Sequence, residues 1–371
     1  MGCGPSRAIG RTRPFPQTHE TVSEGSSMIS IVHLLDDFGM GGVTRALSLF
    51  DDPRIRAHAN SEVKLIGSAV TDARHLNADL IVIHVPPRWK RLPYLVALRA
   101  LNPRTRIVQV EHSYTRGFEK HRVSAPGRFR RLIRLASRLV DEVIAVSKAQ
   151  SVWLAEVGVS DQKLSVIHPW SGRFDLLNVP ARKHHSGPLK LLTYGRFSEE
   201  KGFLSLVQAV ASLPQGVAEL VVFGAGPQEA ELRLAAASHR RISIKPATDN
   251  PAPFLAECDA VVVPSKFEAF GLVPTEARLA GRATLLAHVD GLPEQAAQGG
   301  SLVCPMTSPA SIAEAIRTLS ACDLDEMGQS ARRGVLSQHE NIVSAWIDLI
   351  RSISLSEKPA TYTPTFGGAR A

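Results

Sequence analysis

The sequence predicts an α/β protein of two Rossmann-like, doubly wound domains facing a cleft, and three observations carry that expectation. At 371 residues the chain exceeds one ordinary core, since domains run to roughly 100–200 residues. Apolar runs of strand length alternate with amphipathic stretches, the pattern of parallel strands joined by helices. The alternation stops at a stretch containing Pro, Gly and a basic run, then begins again. With 44% hydrophobic and 21% charged residues the composition is globular, which excludes a wholly disordered, collagen-like or coiled-coil chain.

In chain order, residues 1–27 hold Pro, Ser, Gly and Thr without the apolar core of a secretory signal, and a disordered extension is expected there. Met1-Gly2-Cys3-Gly4-Pro5-Ser6 fits the N-myristoylation pattern, but so short a match arises by chance, and Met28 competes as the first residue. The first domain, 28–178, has strands expected at 29–35, 63–66, 80–85, 107–110 and 143–146, with helices at 91–101 and 129–139. From 175 to 188 the chain carries two prolines, a glycine and Arg182-Lys183-His184-His185, and 179–188 reads as the linker. The second domain, 189–336, repeats the rhythm with strands at 189–194, 220–223, 242–244, 260–263 and 284–287 and helices at 203–212, 228–237, 272–280 and 309–319. The tail, 356–371, is rich in Pro, Thr and Gly and is expected to be loose. Open α/β sheets bind ligands at the carboxyl edges of their strands, so the cleft is the place to look for a site.

The net charge of +8 is one-sided: residues 28–186 hold 24 Lys and Arg against 14 Asp and Glu, whereas 187–371 hold 16 against 19. A basic half suits phosphate, an acidic sugar or a lipid headgroup surface. Aromatic residues are only 6% and form no stacking platform, so nucleic acid is not an expected partner. Cys3, Cys258, Cys304 and Cys322 form no C-x-x-C pair, which leaves no legible disulfide framework or cysteine zinc site and fits a reducing, cytoplasmic setting. No run approaches the roughly 18 apolar residues of a membrane span. The stretch 129–140 sets Arg130, Arg134 and Arg138 on one face. Together with Arg88, Lys90 and Arg91 that face is a candidate for peripheral contact with an anionic membrane, and an ordinary charged surface helix is the plain alternative.

Phosphate chemistry is legible at the first strand of the second domain. Leu191-Leu192-Thr193-Tyr194 runs into Gly195-Arg196, and Ser198-Glu199-Glu200-Lys201-Gly202 opens the next helix. A glycine admits the backbone close to an anion, a helix N-terminus offers free N–H groups, and Arg196 and Lys201 add two charges, a set that suits a diphosphate. Two exposed cations beside a turn are the ordinary alternative. The second constellation, Lys266-Phe267-Glu268-Ala269-Phe270-Gly271-Leu272-Val273-Pro274-Thr275-Glu276, follows the strand at 260–263. Gly271 and Pro274 fit a loop entering a helix, so the backbone N–H groups of Phe270, Gly271 and Leu272 are expected to face the cleft, with Glu276 in the first turn. One carboxylate accepts from two adjacent ribose hydroxyls, which suits Glu276, while Glu268 is placed for a sugar beside the phosphates. A helix-dipole partner and a solvated loop residue are the ordinary readings of the same two groups.

With these motifs in order, the chain resembles the retaining glycosyltransferases of family 4, which have the GT-B fold. The resemblance covers roughly 28–353 and is densest over 189–305. Its most specific part is the Glu-x7-Glu element from Glu268 to Glu276, followed by Gly195-Arg196, Glu200-Lys201-Gly202 and Phe223-Gly224-Ala225-Gly226-Pro227. It implies a bacterial polysaccharide or glycolipid enzyme that moves a hexose from a UDP- or GDP-sugar to a glycan or lipid-linked acceptor, with retention and without metal or cofactor. In that family Arg196 and Lys201 would hold the donor diphosphate in place of magnesium, Glu276 the ribose and Glu268 the transferred sugar, with Gly195 and Gly226 among the donor contacts. Phe38-Gly39-Met40-Gly41-Gly42-Val43 resembles the family's glycine loop and would put Gly41 and Gly42 at the donor; it is not a G-x-G-x-x-G dinucleotide fingerprint. His112, in Val110-Glu111-His112-Ser113, matches the family's histidine beside the donor sugar, a purely structural histidine being the alternative. Ala145-Val146-Ser147-Lys148 also matches, whereas Val166-Ile167-His168-Pro169-Trp170-Ser171-Gly172 lacks the family's Asn-Gly after the strand. A last helix at 337–355 is implied to cross back onto the first domain.

Competing readings have their own residues. Asp323-Leu324-Asp325 has the D-x-D form that holds a metal in some sugar transferases, but acidic residues at a helix start explain it, and no metal site is expected. A sugar-nucleotide epimerase of the same fold would use the same phosphate contacts without an acceptor. A non-catalytic anion-binding protein would need only the basic half, and the presence of both Glu268 and Glu276 argues against it. For transfer, negative charge grows on the diphosphate as the glycosidic bond breaks, so Arg196, Lys201 and the helix start at Gly271 would bind the transition state more strongly than the donor.

Overall fold

The computed structural model describes residues 28–36, 41–67, 69–183, 185–297 and 299–356; the expectations for 1–27, for Phe38-Gly39-Met40 and for 357–371 lie outside them. A first sheet contains β1 (Ile29–Leu35), β2 (Ala59–Leu65), β3 (Leu80–Ile83), β4 (Arg106–Glu111), β5 (Glu142–Ala145) and β6 (Leu164–Val166), in the order β2-β1-β3-β4-β5-β6 with every pair parallel. Parallel neighbours need crossover connections. The helices along this half are α1 (Gly42–Ala46), α2 (Pro53–Arg56), α3 (Leu92–Leu101), α4 (Arg116–Arg122), α5 (Pro126–Arg138) and α6 (Lys148–Val157).

The second sheet repeats the plan with β7 (Leu189–Arg196), β8 (Ala218–Ala225), β9 (Ile242–Pro246), β10 (Ala260–Val263), β11 (Ala283–Ala287) and β12 (Ser301–Cys304), ordered β12-β11-β10-β7-β8-β9 and again parallel. Its helices are α7 (Phe203–Ser212), α8 (Glu229–Ala236), α9 (Ala252–Glu257), α10 (Leu272–Leu279) and α11 (Pro309–Ser320). The chain closes with α12 (Leu324–Ser356).

Burial on both faces explains why the central strands read as near-continuous apolar runs. In the first sheet Ile29 and Ile31 share a face with Leu80, Val82, Val108 and Val110, while Val32 and Leu34 share the other with Ile81, Ile83 and Ile107. The edges behave differently. β2 begins at Ala59, four residues earlier than the apolar run suggests, because residues 60–65 are exposed and polarity there costs nothing. β6 and β12 were not expected at all; each has three or four half-buried residues on or near a sheet edge, too little for an apolar run.

Two helices differ from the sequence expectation in ways that bear on function. α5 starts at Pro126, whose fixed φ suits the first helical position, and buries Leu132, Ile133 and Ala136. Arg130 is not a free member of its basic face, since Nε and Nη2 bind the two oxygens of Glu119 at 2.6 and 2.8 Å; Arg134 and Arg138 remain exposed. The final helix is a single element of 33 residues that starts at Leu324, earlier than the expected 337. Asp323 caps it, Oδ1 accepting the N–H groups of Asp325 and Glu326 at 3.0 Å each, while the Asp325 carboxylate is bound by Arg182. From there α12 runs off the second domain, and Ile342, Val343, Trp346, Leu349, Ile350 and Ile353 bury themselves with Phe50 and Ile55 of the first. Trp346 meets Phe50 edge-on at 4.8 Å.

Candidate active site

The carboxyl ends of β7 and β10 bring the two sequence constellations together. At Gly195, φ is 135° and an added Cβ would meet nothing nearer than 4.0 Å, so this stretch of backbone is open on that side. Arg196 is exposed, and its guanidinium has no protein partner among the described residues. Lys201 is engaged: Nζ lies 2.5 Å from Glu268 Oε2, and Ser265 Oγ donates to the same oxygen at 3.2 Å. Lys266 stitches the two loops, its N–H donating to the Glu200 carbonyl at 2.7 Å and its Nζ to Glu199 at 2.9 Å. Gly226 closes the group from β8. Its φ of 153° and the backbone of Phe197, 2.6 Å from where a Cβ would stand, leave no room for a side chain.

Glu276 lies deeper. α10 starts at Leu272 with Gly271 as its N-cap, so Glu276 is in the second turn and not the first as expected, where it is only 1% exposed. Tyr194 Oη donates to Oε2 at 2.8 Å, and Arg45 Nη1, reaching over from the first domain, lies 3.5 Å from Oε1. Burial raises the carboxyl above its ordinary value even though Tyr194, Arg45 and Arg173 pull it down. Burial and the nearby carboxylate push the Tyr194 hydroxyl well up, which keeps it a donor. Tyr194 is held flat on Phe223, with centroids 4.6 Å apart and planes 6° from parallel. The backbone N–H groups of Phe270, Gly271 and Leu272 donate to no protein group among the described residues. The Phe270 side chain points elsewhere, stacking on the His168 ring at 4.6 Å.

The first domain supplies the opposite wall. Gly41 caps α1, and a Cβ at Gly42 would stand 3.5 Å from Leu272 Cδ1, so the starts of α1 and α10 face each other. His112 follows β4 at its carboxyl edge, with Nε2 3.0 Å from His84 Nδ1.

Sequence reasoning missed the residues that join the two halves. Asp290, at φ 41°, accepts from Thr115 Oγ1 (2.8 Å), Gly117 N–H (3.0 Å) and Glu268 N–H (3.1 Å), so it ties the Glu268 loop to the start of α4. Glu294 accepts from the N–H groups of Lys148 (2.9 Å) and Ala149 (2.8 Å) at the start of α6, with His168 Nε2 at 3.2 Å. Thus the segment around His168, which departs from the family pattern, lies against Phe270 and Glu294. Phe267 packs on Phe118 and His121 of α4, and Arg122 pairs with Glu199 and Glu200. The one local signal is Asp290-Gly291-Leu292-Pro293-Glu294, a turn dipeptide followed by a helix-starting proline directly after a strand. Arg45, Arg173 and Tyr194 carry no signal of their own.

Residues 178–334 match the family model for Glycosyl transferases group 1, and residues 52–170 match that for Glycosyltransferase Family 4. Over 164 residues the chain is 32% identical to a glycogen synthase of Mycobacterium tuberculosis (strain CDC 1551 / Oshkosh), an overlap of 41% of this chain and 38% of that protein, so it spans about two fifths of that relative's length. Over 301 residues it is 26% identical to the N-acetyl-alpha-D-glucosaminyl L-malate synthase of Bacillus anthracis, covering 77% of this chain and 78% of the relative. The structure of Anabaena Alr3699/HepE in complex with UDP and glucose superposes with a TM-score of 0.68 at 18% identity, over 87% of this chain and 100% of that one. At that identity the likeness is one of fold, two Rossmann-like domains in the GT-B arrangement.

Proposed function

From the two family models, which indicate a GT-B glycosyltransferase of the family-4 kind, we propose that this protein moves a hexose from a nucleotide-sugar to a glycan or lipid-linked acceptor, with retention of configuration and without a metal. The observation that carries the reading is the end of β7, where Arg196 offers an exposed guanidinium without a protein partner among the described residues and Lys201 is joined to Glu268. The donor diphosphate takes Arg196, Lys201 and the open N–H groups at the start of α10. Glu268, parted from Lys201, turns to the hydroxyls of the transferred sugar, and Glu276 accepts from the ribose. The UDP and glucose named for the Anabaena protein support a UDP-sugar donor, with GDP-sugar as the alternative.

Charge decides the mechanism. As the glycosidic bond breaks, negative charge grows on the leaving diphosphate, and the two cations and the helix start gain more from it than from the intact donor. They supply the charge that magnesium supplies in other transferases. The acceptor hydroxyl attacks from the leaving-group side and passes its proton to the departing phosphate oxygen on that side, while Glu268 serves binding and not nucleophilic attack. Among the described residues no helix is long and apolar enough to cross a membrane. We place the enzyme on the cytoplasmic side, with peripheral contact to anionic lipid where the acceptor is lipid-linked.

The test is release of UDP, GDP or ADP across a panel of nucleotide-sugars with lipid-linked sugar acceptors, with and without EDTA. Acceptor-dependent release of one nucleotide, unaffected by EDTA, and an anomer of unchanged configuration are expected. Acceptor-independent release with an epimerised sugar would transfer the assignment to an epimerase, and no release with any donor would sink catalysis.

A further inference from the structure

Three histidine rings form a line through the first sheet. His33 lies on β1, His84 just after β3 and His112 just after β4, with His33 Nδ1 2.9 Å from His84 Nε2 and His84 Nδ1 3.0 Å from His112 Nε2. The register builds this line. His33 pairs with Val82, two residues before His84, and Ile83 pairs with Gln109, which sets His84 level with Val110, two residues before His112. A strand repeats every two residues, so each step moves one strand sideways and two residues toward the carboxyl edge on the same face. The line starts inside the core, where His33 packs on Phe50 at 4.3 Å, and ends at His112, half-buried just past the carboxyl end of β4.

All three rings are neutral near neutral pH. Burial pushes His33 down to about 3 and His112 down to about 4, and burial with the two neighbouring rings holds His84 well below its ordinary value. A neutral imidazole carries one N–H, so two hydrogen bonds along three rings must run in a single direction. Either every ring is protonated on Nδ1 or every ring is protonated on Nε2. His33 Nε2 decides between them, because it is buried without a hydrogen-bond partner among the described residues. A proton there would be an orphaned buried N–H, whereas its absence leaves only a bare lone pair, and orphaned donors are the rarer of the two in folded proteins.

We infer that His33 and His84 lock His112 as the Nδ1–H tautomer, so that it meets the substrate in the cleft as a neutral hydrogen-bond donor and not as a base. His33 Nδ1–H donates to His84 Nε2, His84 Nδ1–H donates to His112 Nε2, and the remaining proton stands on His112 Nδ1, the ring nitrogen without a protein partner among the described residues. The substrate side of this inference rests on the transferase reading, in which that N–H meets a hydroxyl oxygen of the donor sugar; the tautomer itself does not. His33 and His84 are positioning residues that act through His112.

The decisive measurement is long-range proton–nitrogen correlation on ring-labelled, ligand-free protein, with His33, His84 and His112 assigned from single variants. Protonated Nδ1 on all three rings is expected, and a protonated Nε2 on His112 overturns the inference. His33→Phe removes the terminal donor and should return His112 to a mixture of tautomers, while His33→Gln, whose amide N–H can replace the donor, should keep the parent pattern. In turnover, His33→Phe should lower kcat by about three- to tenfold, the scale of one neutral hydrogen bond, with nucleotide affinity unchanged and His33→Gln restoring the rate. If His33→Phe does not fold, the parent and Gln spectra still decide. Nδ1–H rings in a protein that transfers no sugar would leave the lock standing and remove the transferase reading alone.

Discussion

Glu294→Ala should loosen the closed arrangement of the two domains. Its carboxylate, 18% exposed, binds two backbone N–H groups at the start of α6 and has His168 Nε2 within 3.2 Å. A hydrogen bond to a charged group contributes about 1.5–3 kcal/mol, and a carboxylate at a helix N-terminus adds about 0.3–1 kcal/mol. Taking the lower ends, because water can replace part of what is lost, Glu294 favours the closed form by about 3 kcal/mol, roughly a hundredfold in the closed-to-open ratio. Glu294→Gln keeps one acceptor oxygen but no charge and should lose about half as much. Small-angle scattering reads the effect as a larger radius of gyration for Ala than for Gln or the parent, with kcat/KM falling in the same order. The pH dependence follows from the same contacts. Burial pushes this carboxyl up, but His168 and the N–H groups of Ala149 and Lys148 outweigh it and hold it below its ordinary value. A carboxyl lower in the folded than in the unfolded state contributes above the unfolded value, about 4.3, and loses that contribution as pH falls through the folded one. The parent should therefore open at acid pH in a step that Glu294→Ala lacks. An Ala variant with the parent's radius of gyration and turnover would refute the clasp.

Arg196→Ala should lower turnover about 100-fold or more without unfolding the protein, the scale of losing one preorganised donor, as judged by initial rates and thermal melting. Activity should survive EDTA; complete loss restored by magnesium or manganese would remove the metal-free assignment. Glu276→Ala should weaken binding of UDP or GDP alone in calorimetry, whereas Glu268→Ala should spare nucleotide affinity and impair transfer, and equal effects in both would show that the two carboxylates do not divide the donor as proposed. Anionic vesicles should float the protein better than neutral ones at low salt, and converting Arg134 and Arg138 to Glu should abolish the difference, since each cation near such a surface contributes on the order of 1 kcal/mol. No difference between the vesicles would assign the basic half to a soluble acidic acceptor.

How much of this was legible depended on where each element keeps its information. Strands β1 and β10 and helix α7 have the expected bounds because their apolar pattern is set by burial along their whole length. β8 extends two residues past the apolar run at each end, where Glu219 and Gly224 interrupt the pattern but not the ladder. α4 and α6 were missed: α4 is the polar stretch RGFEKHR with Glu119 turned inward to Arg130 and Trp153 Nε1, and α6 places a buried Gln150 and Trp153 on a short, mixed face. Arg196, Lys201, Glu268 and Glu276 stand out in the sequence because each lies in a short motif of its own, while their pairing, Lys201 with Glu268 and Tyr194 with Glu276, spans 67 and 82 residues and comes from the fold. Asp290, Glu294 and Arg45 act on partners more than 100 residues away, and the meaning of His112 depended on His84 and His33, which only strand register brings into line.

The polypeptide passes between the two halves twice, once from β6 to β7 and once along α12. Two crossings define an axis as two pins define the swing of a gate, and Glu294 and Asp290, bound across the two halves, act as its latch. The second crossing is also a ruler. At 33 residues α12 is about 50 Å long, and each residue along it turns the next by about 100°. Deleting Ser337, which is exposed, would swing Trp346 about a quarter of a turn away from Phe50 and draw it about 1.5 Å back toward the second domain. The length of that helix therefore sets the phase in which one half presents its wall of the cleft to the other.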